Sequence, residues 1–145
     1  MSDIEVTLRE FFDAWTCEKL DAARVDQVIG FFAENARYSV FAWQEPFVGR
    51  DAIREEITRH AQYITDNHHE IVNVASVGNT VFVQRRDCCT MFGTAAKFEV
   101  VGVFEFDADG KITCWRDYLD SAEIGAKVGQ NGGDGTTAAE MPEHT

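Results

Sequence analysis

Arg85 and Asp87 stand in the run Thr80-Val-Phe-Val-Gln-Arg-Arg-Asp-Cys-Cys-Thr90, and Asp117 in Ile112-Thr-Cys-Trp-Arg-Asp-Tyr-Leu119. Both runs read as strands, along which side chains alternate between faces. Val81, Val83, Arg85, Asp87 and Cys89 therefore share one face, and Trp115, Asp117 and Leu119 share another. Each stripe mixes charge with apolar side chains. Burying an unpaired charge costs about as much as the whole stability of a small domain. The pattern therefore predicts pairing, and one guanidinium can serve two carboxylates as Asp–Arg–Asp. Such a cluster is either a structural clamp or a site for acid/base work, since perturbed charges gather in both.

Composition bounds what this cluster can belong to. A chain of 145 residues makes one domain with a core of ordinary size. With 45% hydrophobic residues it is globular. Its 25 acidic against 13 basic residues give a net charge of −12. A polyanion repels phosphate backbones and anionic lipid, so neither nucleic acid nor membrane is an expected partner. No apolar run reaches the length of a membrane span, and the acidic start Met-Ser-Asp-Ile-Glu lacks the basic region of a signal peptide. A cytoplasmic location is expected. Cys17, Cys88, Cys89 and Cys114 form no C-x-x-C and read as reduced packing residues. The four histidines show no zinc spacing with them, and there is no glycine-rich phosphate loop, so neither metal nor cofactor is expected.

The elements that must position the cluster follow in order. Residues 2–17 predict a helix, with Ser2 and Glu5 as a capping box and Ile4, Leu8, Phe11, Phe12 and Trp15 on one face. A second helix is expected over 21–34, capped by Asp21 and stopped at Asn35. A short strand over 37–43 would point Tyr38, Val40 and Ala42 one way before Pro46 breaks it. A third helix follows Gly49, with Ile53, Ile57, His60, Ala61 and Ile64 on its apolar side. Strands over 69–77, 80–91, 96–107 and 111–119, joined at Gly78-Asn79, Gly93 and Asp109-Gly110, make an antiparallel meander. Residues 1–128 form the domain, and 129–145, rich in Gly, Thr, Ala and Glu, read as a disordered tail. Helices grouped ahead of strands predict an α+β fold, with helices on the concave face of a strongly curved, mainly antiparallel sheet. Between the two layers lies a cleft, with Arg85, Asp87 and Asp117 at its floor.

Arg85-Arg-Asp87, Gly49-Arg-Asp-Ala52 and the stretch from Val101-Gly-Val-Phe through Gly110-Lys-Ile-Thr to Trp115-Arg-Asp-Tyr-Leu-Asp120 carry a resemblance. They resemble the limonene-1,2-epoxide hydrolases, members of the cone-shaped superfamily named after nuclear transport factor 2 and including SnoaL-like proteins. The likeness runs from about Ile4 to Val128. It implies a cofactor-free enzyme that adds water to a small hydrophobic epoxide. Asp117 would be the base on water, Arg85 the bridge, Asp87 the acid that donates to the epoxide oxygen, and Tyr38 a holder of the water. Two carboxylates on one cation do share protonation unequally, and ring opening needs both an acid and a base. Phe98, Val100, Leu119, Trp115, His60, Val40 and Ile64 would line the substrate pocket. The resemblance also implies a homodimer formed through the sheet.

One position departs from the family. Its second water-holding residue, an Asn two residues after the Tyr, is here Val40. His60, where the family has a pocket Leu, is a candidate substitute. It equally suits a cofactor-free lyase, dehydratase, isomerase or polyketide-cyclase-like enzyme that uses Asp117 and His60. A non-catalytic binding module, with the triad as a clamp, is the third alternative.

Overall fold

The computed structural model describes residues 2–132. Helix α1 (Asp3–Trp15) starts at Ser2, whose hydroxyl accepts from the Glu5 amide at 3.4 Å. The other half of the expected capping box is not made, because the Glu5 carboxylate accepts from the Ser76 hydroxyl at 2.8 Å instead. Leu8, Phe11, Phe12, Ala14 and Trp15 form the buried face. Helix α2 (Ala22–Ile29) is capped by Asp21, which accepts from the Arg24 amide at 2.9 Å.

The helix does not run on to Glu34 as the periodicity suggests. It ends at Gly30, and strand β1 (Phe32–Ser39) has already begun before Asn35. Pairing decides this: the Ile112 amide donates to the Phe31 carbonyl at 2.9 Å, and Phe32 lies opposite Ile112 in a parallel ladder. Phe32 is buried in either conformation, so its apolar character could not choose between them. β1 stops at Ser39, not Trp43, where the Ala42 amide donates to the Asp117 carbonyl at 2.8 Å. The turn sends Phe41 inward and leaves Trp43 exposed. A two-residue strand β2 (Phe47–Val48) pairs with β1. Gly49, at φ 89°, caps helix α3 (Arg50–His60).

Helix α3 stops at His60, so Ile64 belongs to strand β3 (Ile64–Val77) and not to the helix. β3 thus begins five residues before His69. Its polar start, Thr65-Asp-Asn-His68, hides it from a search for alternation. The register shifts between Thr65 and His68, and Asp66 takes a φ of 54°. Strands β4 (Thr80–Met91), β5 (Thr94–Phe106) and β6 (Ile112–Tyr118) complete the expected meander. The sheet order is β2-β1-β6-β5-β4-β3, antiparallel except for β1 beside β6. The fold is the α+β arrangement expected, with a six-stranded sheet.

Helices α1 to α3 cover the inner face of the sheet. Phe11 is the hub, with its ring 5.2 to 5.8 Å from those of Phe12, Trp15, Phe31, Phe32, Phe104 and Trp115. A second apolar cluster of Phe41, Met91, Ala96, Phe98, Val100 and Ile124 lies farther along β4 and β5. Ile124 comes from helix α4 (Ser121–Gly132), which the Gly-rich composition concealed. The tail expected from Gly129 therefore opens with helix, and 133–145 lie outside the described residues. No helix among the described residues is long and apolar enough to cross a membrane.

Candidate active site

Strand alternation puts Arg85 and Asp87 on the inner face of β4, and Asp117 on the inner face of β6. β5 separates the two strands. The Arg85 side chain crosses it: Nη1 donates to Asp117 Oδ1 at 3.0 Å and Nη2 to Oδ2 at 2.6 Å. Its Nε donates to Asp87 Oδ1 at 2.8 Å. The Asp–Arg–Asp cluster expected from the sequence is therefore assembled, with the guanidinium only 2% exposed. The Arg85 guanidinium carbon lies 4.8 Å from the centre of the Phe12 ring, which seals its face.

The crossing depends on Gly102, which lies opposite Asp117. A Cβ there would stand 2.6 Å from Arg85 Nη1 and 2.9 Å from Asp117 Oδ1. No side chain fits. The sequence marks Gly102 only as a solitary glycine in an apolar strand, and this role was not read from it.

Asp117 is 7% exposed and also accepts from the Trp115 indole at 2.7 Å. Burial pushes its carboxyl above the usual aspartate range, against the pull of Arg85 and Trp115. Burial disfavours the Arg85 charge, but the two carboxylates more than offset it and hold the residue cationic. Tyr38 stacks on Trp115 at 4.3 Å, and burial followed by the Asp117 charge keeps its phenol protonated.

These groups form one end of a cavity of about 130 Å³. This is close to the ~150 Å³ apolar void that accommodates benzene. Asp117, Arg85, Asp87, Tyr38, Phe98, Val100, Leu119, Trp115, His60, Val40 and Ile64 all line it. Ile64 reaches it from β3, not from α3 as expected. Sequence reasoning missed Phe41, Tyr63, Asn67, His69 and Ile124 in the lining. Cys89 also lines it, where burial raises the thiol to about 12 and keeps it protonated. His60 Nε2 lies 3.0 Å from the buried Glu56, whose carboxylate also binds Arg59. Although burial opposes it, hydrogen bonds from His60 and Arg59 bring Glu56 down to about 2. Among the described residues, no cluster of three or more His, Cys, Asp or Glu has the arrangement of a metal site.

His69 has an imidazolium brought down from 6.5 to about 3, by burial first and the Arg85 charge second. The unfolded chain binds this proton below about 6.5, and the folded chain only near 3. Stability is therefore lost on acidification between those values. In urea unfolding across that window, His69→Phe shows a shallower loss than the wild type; parallel slopes overturn the assignment. Gly102→Ala costs about 1–3 kcal/mol in the same measurement at neutral pH, by overpacking. Unchanged stability rules out the close approach.

Comparison with known proteins places the chain in a family. A SnoaL-like domain model matches residues 8–115. Solved structures share the fold. One is an LEH-like epoxide hydrolase from M. tuberculosis, 23% identical, covering 88% of this chain and 90% of its own, with a TM-score of 0.70. A protein from Catenulispora acidiphila with a ketosteroid isomerase-like fold, in complex with trimethylamine, is 18% identical over 89% of this chain and 94% of its own, TM-score 0.73. A candidate SnoaL-like polyketide cyclase from Shewanella putrefaciens is 14% identical over 90% and 98%, TM-score 0.75. At these identities the likeness is one of fold. The family model spans most of the helices and sheet that build the cavity, and the chain belongs to the SnoaL-like domain family.

Proposed function

We propose that the protein is an epoxide hydrolase that adds water directly to a small hydrophobic epoxide and yields a vicinal diol. The observation that carries this reading is a single buried guanidinium bonded to two carboxylates at one end of an apolar cavity. Asp117 takes a proton from water, and the water oxygen attacks one epoxide carbon. The C–O bond breaks, and Asp87 gives a proton to the departing oxygen. No covalent intermediate forms, and after the diol leaves, exchange with water returns the proton from Asp117 to Asp87 and restores the starting state. Arg85 remains cationic throughout and fixes both carboxylates. Tyr38, held as a phenol, orients the water. Val40 supplies no hydrogen bond to that water, a loss of about 1–3 kcal/mol, or roughly ten- to a hundredfold in rate.

The His60–Glu56 contact favours a second reading on the same fold. A histidine held by a buried carboxylate, lining the same cavity as Asp117, suits proton abstraction in a lyase, isomerase or cyclase.

Terpene, alkene and aryl epoxides in ¹⁸O-water test the first reading. The wild type forms diol labelled at one hydroxyl, even in a single turnover. Asp117→Asn reduces turnover by at least a hundredfold while remaining folded. Absence of diol from every epoxide, with a folded wild type, transfers the assignment to the second reading, in which His60→Ala abolishes activity.

We also infer a homodimer through the outer face of the sheet. Phe82, Val101 and Tyr118 are exposed there, with Val101 and Tyr118 directly paired, and Arg86–Glu99 and Arg116–Glu105 ion pairs lie at their flanks. Sedimentation equilibrium gives the mass of two chains for the wild type and of one for Val101→Lys. A monomeric wild type overturns the inference.

A further inference from the structure

Asn67 and His69 lie two residues apart on β3, face the cavity and take no part in the triad. The register shift between Thr65 and His68 sets the phase of this segment. The Asn67 amide N–H donates to the Cys17 carbonyl at 2.8 Å, fixing the backbone. The Asn67 side chain is 7% exposed, and its Nδ2 is buried without a partner among the described residues. A native fold rarely leaves a buried amide in this state without a reason.

The tautomer of His69 follows from its neighbour. Thr16 has one hydroxyl proton, which it donates to the Phe12 carbonyl at 2.8 Å. Its 3.2 Å contact with His69 Nδ1 is therefore an Nδ1–H donating to Thr16 Oγ1. The ring is neutral at pH 7, so its lone pair sits on Nε2. The Phe12 and Trp15 rings, 5.1 and 6.4 Å away, hold the imidazole in place. The β3 side of the cavity lining thus carries an unpartnered amide and an acceptor nitrogen, apart from the triad and His60.

We propose that Asn67 and His69 form a subsite for a hydroxyl group, so that the ligand is an apolar molecule bearing an alcohol. A hydroxyl gives its proton to His69 Nε2 and accepts from Asn67 Nδ2. A carboxylate cannot donate, an ammonium cannot accept, and a hydrocarbon satisfies neither. His69 lies opposite Asp87 in the β3–β4 register, so the alcohol sits on the β3 side of the triad. Where this rests on the hydrolase reading, the epoxide carries that hydroxyl close to its ring.

Calorimetry with benzyl alcohol and toluene tests the subsite apart from catalysis. The wild type binds the alcohol about ten- to a hundredfold more tightly. Asn67→Leu and His69→Phe, which keep roughly the volume of each side chain, bring the two ligands to within about threefold. Asn67→Leu melts no lower than the wild type, because it removes an unpartnered amide. A wild type without preference for the alcohol, or a preference that survives both substitutions, overturns the proposal. An alcohol preference without turnover of any epoxide leaves the subsite standing and removes the hydrolase reading. Equal turnover of hydroxylated and plain epoxides, with no alcohol preference, does the reverse.

Discussion

A guanidinium at 2% exposure sets the terms for everything around it. Its charge is tolerable inside the sheet only because two carboxylates and an aromatic face surround it. Removing either carboxylate leaves the other side of the balance uncovered, so the cluster stands as a unit. It also fixes the strands, since β4 must lie one strand from β6 and the residue between must be without a side chain. The helical layer then has to supply Phe12 over the guanidinium. Phe12 does so from α1, where neighbouring Phe11 anchors the aromatic core. The packing of that helix and the electrostatics of the triad are one problem solved together.

The cavity divides into regions of different chemistry. The Asp–Arg–Asp cluster lines one part, and Phe98, Val100, Leu119 and Met91 supply apolar wall. The α3 end carries His60, backed by Glu56, and β3 contributes neutral polar groups. Low polarity along the apolar wall raises the strength of the polar contacts around it, because water does not compete for them. Charge at Asp117, Arg85 and Glu56 is held by local partners, whereas His69 avoids charge altogether. A site of this kind orients a small molecule by a few contacts at its ends.

Much of this was legible in the residues. Alternation placed Arg85, Asp87 and Asp117 on the correct faces, because two-residue periodicity is strict on long strands and their turns, at Gly78, Gly93 and Gly110, are well marked. Tyr38 and the apolar lining follow from the family resemblance and not from any local pattern. What escaped depended on distant partners. β1 begins at Phe32 because Ile112 pairs with it, and β3 begins at Ile64 because Met91 lies opposite, though its own residues are polar. Helix α4 has poor intrinsic propensity, yet Ile124 is buried against the second apolar cluster. His69 looked like the first residue of a strand. Only the Thr16 hydroxyl, distant in sequence but in contact with the ring, reveals which nitrogen carries its proton.

Gly102 has a bearing on how the chain finds its fold. The inner row of β5 is Phe98, Val100, Gly102, Phe104 and Phe106, apolar at every step. A slip of one residue turns this row to the outside, and the hydrophobic pattern alone forbids it. A slip of two keeps every apolar side chain inward, and that pattern cannot reject it. Such a slip, however, brings Val100 or Phe104 beneath the guanidinium, where even a single methyl does not fit. Arg85 then loses Asp117, and both charges are stranded in the interior. The gap in β5 thus acts as a register mark. A sheet assembled two residues out of phase is penalised by the same ion cluster that its correct alignment completes, so accuracy of folding and assembly of the site are selected by one event.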